Sequence, residues 1–201
     1  MKNLENVKTI GPVDRKSSVV DFYSTNRTES IKEALENVSL KGHFAEFGVA
    51  NGITARQIVG SVPKGKKFYL FDSFEGIPED WTERIKKGAY AQTELPVFEE
   101  KCVVIKQGLF DDVLPDFVKR VTSKFAFIHI DCDLYSSTIS ALTNFEQNIG
   151  PGTVILFDEI IGIEEAIDHE MKAFDEFIEL TGLDYDVIFK SNYSQVCIKI
   201  K

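Results

Sequence analysis

A chain of 201 residues, 43% hydrophobic and 27% charged, carries enough apolar material for one well-buried domain. Its formal charge of −9 argues against a nucleic-acid binder and against an anionic-membrane binder, since both need a basic face. No apolar run nears the ~20 residues of a membrane span, and the start MKNLENVKTIGPVDRK lacks the apolar core of a secretory signal. Cys102, Cys132 and Cys197 lie far apart with no CxxC spacing, so core thiols in a cytoplasmic protein are expected rather than disulfides or zinc.

Residues 1–26 show weak periodicity and read as a loose arm. Residues 26–38 read as a helix: Thr28 can cap it, and Ile31, Ala34, Leu35 and Val38 share a face. Strands and helices then alternate. HFAEF (43–47) is a strand that runs into a glycine turn, and residues 54–59 form a short helix. KFYLF (67–71) and residues 103–106 are strands. Residues 111–120 are a helix whose start Pro115 displaces. FAFIHI (125–130) is a fully apolar strand. Residues 136–148 are a helix stopped by Gly150-Pro151-Gly152, and TVILF (153–157) is the next strand. Residues 163–180 read as one long amphipathic helix with Gly182 as C-cap. Two strands, 185–190 and 195–200, follow as a hairpin across 191–193. Continuous apolar strands between helices imply an α/β fold, a mostly parallel Rossmann-like sheet of seven strands with a C-terminal antiparallel hairpin and helices on both faces. Residues 77–101 show no clear element and are a candidate lid.

In such sheets ligands bind beyond the carboxyl ends of the strands. Four strands here end in acids: Glu46, Asp72, Asp131 and the pair Asp158-Glu159. Asp72, 20 residues past Gly52, is placed to accept hydrogen bonds from ribose hydroxyls, which suits NAD and S-adenosylmethionine equally. Glu46 separates the two. It stands ahead of Gly48 where a pyrophosphate would be repelled, and the Gly48–Gly52 spacing is longer than in the dinucleotide fingerprint. A nucleoside with a cationic tail is the ligand that wants a carboxylate there. Asp131, Asp158 and Glu159 form an oxygen-only set suited to Mg2+, which would bind an acceptor hydroxyl and lower its pKa. His129 shares a face with Asp131 and is expected as a hydrogen-bonded core residue. Asp133 and His169 are candidate bases.

The blocks EFGVANG, YLFDSFEGIPEDW (69–81), QGLFDDVLP (107–115), HIDCDLYSST (129–138) and GPGTVILFDE (150–159) come in the order of the macrocin O-methyltransferase (TylF-type) family, which this chain resembles over roughly residues 40–180. The resemblance implies a class I S-adenosylmethionine-dependent O-methyltransferase, usually with Mg2+, acting on hydroxyls of sugars or glycosides, with a homo-oligomer as a further expectation. Carried over by position, it implies that Glu46, Phe47, Gly48, Gly52, Asp72, Ser73 and Phe74 hold the methionine and ribose parts. It puts Gly108, Leu109 and Phe110 near the adenine, and Asp131, Asp158 and Glu159 on the metal. This chain has Asp158-Glu159 where the family usually has Asp-Asp, and it is shorter before residue 40 and between 80 and 101. Two other readings fit the same fold: a non-catalytic domain that binds the cofactor or a partner, and a nicotinamide-dependent oxidoreductase, which Glu46 disfavours.

Overall fold

The structure, a computed structural model, describes residues 27–161, 164–191 and 194–201. The expected arm and the tip of the hairpin at 192–193 lie outside them. Helix α1 (Arg27–Glu36) precedes β1 (His43–Phe47), α2 (Ile53–Ile58), β2 (Phe68–Asp72) and β3 (Val103–Gln107). Then come α3 (Phe110–Arg120), β4 (Phe125–Ile130), α4 (Tyr135–Asn144), β5 (Val154–Phe157), α5 (Glu170–Thr181), β6 (Tyr185–Lys190) and β7 (Val196–Ile200).

The strands form one seven-stranded sheet in the order β3-β2-β1-β4-β5-β7-β6. The first five are parallel, and β7 runs antiparallel to both β5 and β6. Every residue of β4 and β5 is buried, which is why FAFIHI and VILF are apolar throughout: both faces are covered. Along β1 the period of two sorts the side chains. Phe44 packs with Ile31, Ala34, Ala55 and Ile58 beneath α1 and α2. Ala45 and Phe47 face the other layer, with Leu114, Phe117, Phe145 and Phe174 under α3, α4 and α5. Aromatic pairs fill that layer: Phe47 stacks on Phe71 at 4.9 Å, and Phe117 on Phe145 at 5.7 Å.

Two helices depart from the sequence reading. Pro115 lies inside α3, which starts at Phe110 rather than after a kink. Its missing N–H removes one early bond, and the rest of the helix continues. The long helix expected over 163–180 is a short 3-10 turn (Glu164–Asp168), a break at His169 and then α5. His169 has φ −117° and ψ −106°, well off helical values. Apolar spacing persists through Ala166, Met171, Phe174 and Phe177, so periodicity alone does not show the break. Gly182 does cap α5, at φ 66°.

Strand order reverses between β1 and β4, so their carboxyl ends part at the switch point where a crevice opens. The backbone ladder continues past those ends. Gly48 N–H donates to Phe71 O at 3.0 Å, Gly108 N–H to Asp72 O at 3.0 Å, Asp131 N–H to Phe47 O at 2.9 Å and Asp158 N–H to Ile130 O at 2.9 Å. Residues just beyond the strands are thus held nearly as firmly as the strands themselves.

Candidate active site

A cavity of about 680 Å³ lies at that crevice, in the range of a drug-sized ligand site. One wall is built on the glycine turn and β2. Asp72 Oδ2 accepts the N–H groups of Val49 and Ala50 at 2.7 and 2.8 Å, and Oδ1 accepts that of Phe74 at 2.7 Å. Three of roughly four lone-pair directions are taken, and the open one is on Oδ1. Asp72 and Ser73 line the cavity, as do Gly108, Leu109 and Phe110. Leu109 is 45% exposed, an apolar surface facing open space.

Gly48 also lines the cavity, but its φ of +84° and its surroundings have a second cause. A Cβ there would lie 1.7 Å from the carbonyl oxygen of Asp131. Gly52, at φ +77°, opens α2 against Pro96 and Phe98 and does not line the cavity. Phe47 and Phe74 are buried behind the wall, so they shape it without lining it.

Glu46 is fully buried and does not reach the cavity surface. Opposite it in register is His129, also fully buried. Glu46 Oε1 accepts the Thr54 hydroxyl and lies 3.0 Å from His129 Nδ1. Burial works against a charged imidazole, yet the hydrogen bond and charge of Glu46 raise His129 above its ordinary value. The charge expected to face a ligand therefore faces a histidine first. Among the described residues, Glu46 Oε2 and His129 Nε2 have no hydrogen-bond partner. Glu46, His129 and Asp131 each bring one ligand atom within 4.8 Å of the others.

The opposite wall is acidic. Asp131, Asp133 and Glu159 line it, and Asp158 lies fully buried behind. Burial, then the charge of Asp158, pushes Asp131 up to about 8. Burial, then the charge of Asp133, pushes Glu159 up to about 9. Burial raises Asp133 to about 6, while a hydrogen bond from Glu159 draws it down. Asp133 holds φ +61°, an uncommon backbone for an aspartate and of the kind that clusters at functional sites. Four carboxylates, those of Asp131, Asp133, Asp158 and Glu159, thus crowd this wall.

Four residues of the site were not legible as such in the sequence. The Arg27 guanidinium reaches Asp131 Oδ2 at 3.4 Å and pairs closely with Asp158 Oδ2. Gln195 Nε2 donates to Asp158 Oδ1 at 3.2 Å. Thr54 serves Glu46. Glu170, wholly buried, accepts the Glu159 N–H at 3.2 Å, and burial pushes its carboxyl well up. His169 stands apart from the cavity lining. Its Nδ1 accepts the Tyr135 N–H at 3.1 Å and so holds the start of α4. The 77–101 segment has no helix or strand, and Ile77, Pro78, Glu79 and Tyr90 from it line the cavity.

Solved structures share this architecture. The O-methyltransferase NovP matches with a TM-score of 0.67 at 22% identity, over 86% of this chain and 78% of that one. The calicheamicin methyltransferase CalS11 matches with 0.66 at 16%, over 86% and 76%. An O-methyltransferase from Bacillus cereus in complex with SAH matches with 0.56 at 18%, over 89% and 82%. The fold is that of the class I, Rossmann-like methyltransferases. Within that class, the profile of the macrocin-O-methyltransferase (TylF) family matches residues 11–192, and the chain belongs to that family and is an O-methyltransferase. Demethyldecarbamoylnovobiocin O-methyltransferase of Streptomyces niveus is 28% identical over 81% of this chain and 72% of its own length. An O-methyltransferase of Streptomyces olivaceus, named for the 4′ position of a rhamnosyl-tetracenomycin, is 30% identical over 66% of this chain and 59% of its own length.

Proposed function

We propose that this enzyme transfers the methyl group of S-adenosylmethionine to a hydroxyl of a small acceptor, a sugar or glycoside, with Mg2+ at the acidic wall. The observation that carries the reading is the cavity itself, which sets Asp72 and apolar Leu109 on one wall and a carboxylate cluster on the other. The rhamnosyl substrate named for the Streptomyces olivaceus relative favours a sugar acceptor.

The cofactor's chemistry is a methyl carried on a sulfonium, ready for displacement by an oxygen nucleophile. Asp72 Oδ1 keeps one acceptor direction for a ribose hydroxyl, and its other three bonds fix the turn that shapes the nucleoside pocket. Leu109 and Phe110 offer an apolar bed to a base. Glu46 acts through His129 and the local field rather than by lining the cavity. The oxygen-only set of Asp131, Asp158 and Glu159 suits a hard divalent cation, and the raised protonation of Asp131 and Glu159 marks charge that a cation would neutralise. When bound there, Mg2+ supplies a positive charge that lowers the pKa of an acceptor hydroxyl. Asp133 is raised less than Asp131 and Glu159 and faces the same space, so it is the carboxylate to take the acceptor proton. Orientation of the two reactants and the electrostatics of the acidic wall together supply the rate. The ordered 77–101 segment contributes as a lid: the Ser136 hydroxyl donates to Glu79 at 2.6 Å, tying it to the start of α4.

The test is Asp131→Asn. The variant is expected to keep S-adenosylhomocysteine binding in calorimetry and to lose methyl transfer across a panel of glycosides. Turnover at the wild-type rate without added Mg2+ would remove the metal from this reading.

A further inference from the structure

We propose that Arg27 is the resident counter-cation of the acidic wall and competes with the divalent ion for it, so that this arginine sets the enzyme's metal affinity. The inference rests on the reading of Asp131, Asp158 and Glu159 as the metal set.

The geometry behind it is a contest for one atom. Asp158 is fully buried, and its two oxygens have separate duties. Oδ1 accepts Gln195 Nε2 at 3.2 Å, and Gln195 is itself held by the Ser191 hydroxyl at 2.8 Å. That side of the carboxylate is fixed by the connection between β6 and β7. Oδ2 is the oxygen left for a cation, and the Arg27 guanidinium is on it. The same guanidinium reaches Asp131 Oδ2 at 3.4 Å, so it spans the two carboxylates that a metal would span. A divalent ion and a guanidinium cannot share that oxygen without mutual repulsion at contact distance.

Arg27 is also built to leave. Its side chain is 43% exposed, while that of Asp158 is 1% exposed, so the cation has a path to water and the anion has none. It sits in the first turn of α1, at the rim of the cavity beside Thr28. Without metal, Arg27 spares the wall the large cost of a buried unpaired carboxylate. With metal, it is free to turn toward the cavity, where α1 forms part of the rim.

The test is Mn2+ binding to the full chain, read by calorimetry and by electron paramagnetic resonance, for wild type, Arg27→Gln and Arg27→Lys. Arg27→Gln is expected to bind Mn2+ about tenfold more tightly, the scale of losing one part-buried competing ion pair. Its melting temperature should also rise more on adding Mn2+ than that of wild type, because its metal-free wall lacks a counter-charge. Arg27→Lys, with a single ammonium in place of a fork, should fall between the two and carries the test if the glutamine variant does not fold. Equal or weaker Mn2+ binding in the variants, with wild type binding normally, overturns the competition and leaves the metal reading standing. No Mn2+ bound by any of the three overturns both.

Discussion

Gly48 is where the chemistry of one residue governs both walls of the site. Its φ of +84° favours glycine, and any side chain would drive Cβ to 1.7 Å from the Asp131 carbonyl. Neither obstacle can relax cheaply, because Asp131 is pinned by its own N–H to Phe47 O. Gly48→Ala is expected to cost about 4 kcal/mol or more, a fall of about 10 °C in melting temperature for a chain of this size. A melt within ~2 °C of wild type would show that the turn has room to move. The same residue marks the limit of what sequence shows. Glycine after an acidic strand end signals a close approach, but not whether ligand or protein does the approaching. Asp72, Asp131 and Glu159 were legible because strand ends fix their place on the rim. Arg27, Gln195 and Glu170 were not, because each comes from an element whose packing over the rim depends on the tertiary fold.

At the scale of elements, the strands were readable nearly to the residue, since continuous burial leaves continuous apolar runs. Helix α5 was not: the break at His169 serves a hydrogen bond to Tyr135, which lies 34 residues away in sequence. A histidine at the other end of the sheet yields a test of strand pairing. His43 opens β1, and its Nδ1 accepts the Lys67 N–H at 2.9 Å just before β2. Its ring packs edge-on to Tyr69 at 5.5 Å. Burial, with help from the charge of Lys66, lowers its pKa below the ordinary 6.5. A base with a depressed folded pKa binds fewer protons folded than unfolded. Its contribution is therefore present above about 6.5 and is lost as the pH falls through the folded value. Asparagine can accept the same N–H without titrating. Between about pH 7 and pH 5, wild type is expected to lose more melting temperature than His43→Asn. Parallel losses in the two proteins would show that the bond does not titrate.

For the whole molecule, the two walls of the cavity belong to different halves of the sheet, β1 and β2 on one side of the switch point and β4 and β5 on the other. A ligand that touches both must hold the halves together and stabilise the entire fold, not one loop. Ligand that binds only the native state adds RT ln(1 + [L]/Kd), about 2.7 kcal/mol at a hundredfold excess over Kd. For ~200 residues that is a rise of about 5–10 °C. S-adenosylhomocysteine at that excess is expected to raise the melting temperature by this amount, and NAD at equal concentration to leave it unchanged. Asp72→Asn separates cofactor binding from general stabilisation. It keeps one amide oxygen as an acceptor but turns its NH2 toward at least one of the three backbone N–H donors, a loss of about 1.5–3 kcal/mol or more. The variant should therefore melt lower without ligand and gain less from a fixed concentration of S-adenosylhomocysteine. A full ligand shift in Asp72→Asn would place the nucleoside elsewhere in the crevice. A shift with NAD would reassign the glycine turn to a dinucleotide, and the acidic wall would then face a nicotinamide rather than a methyl donor.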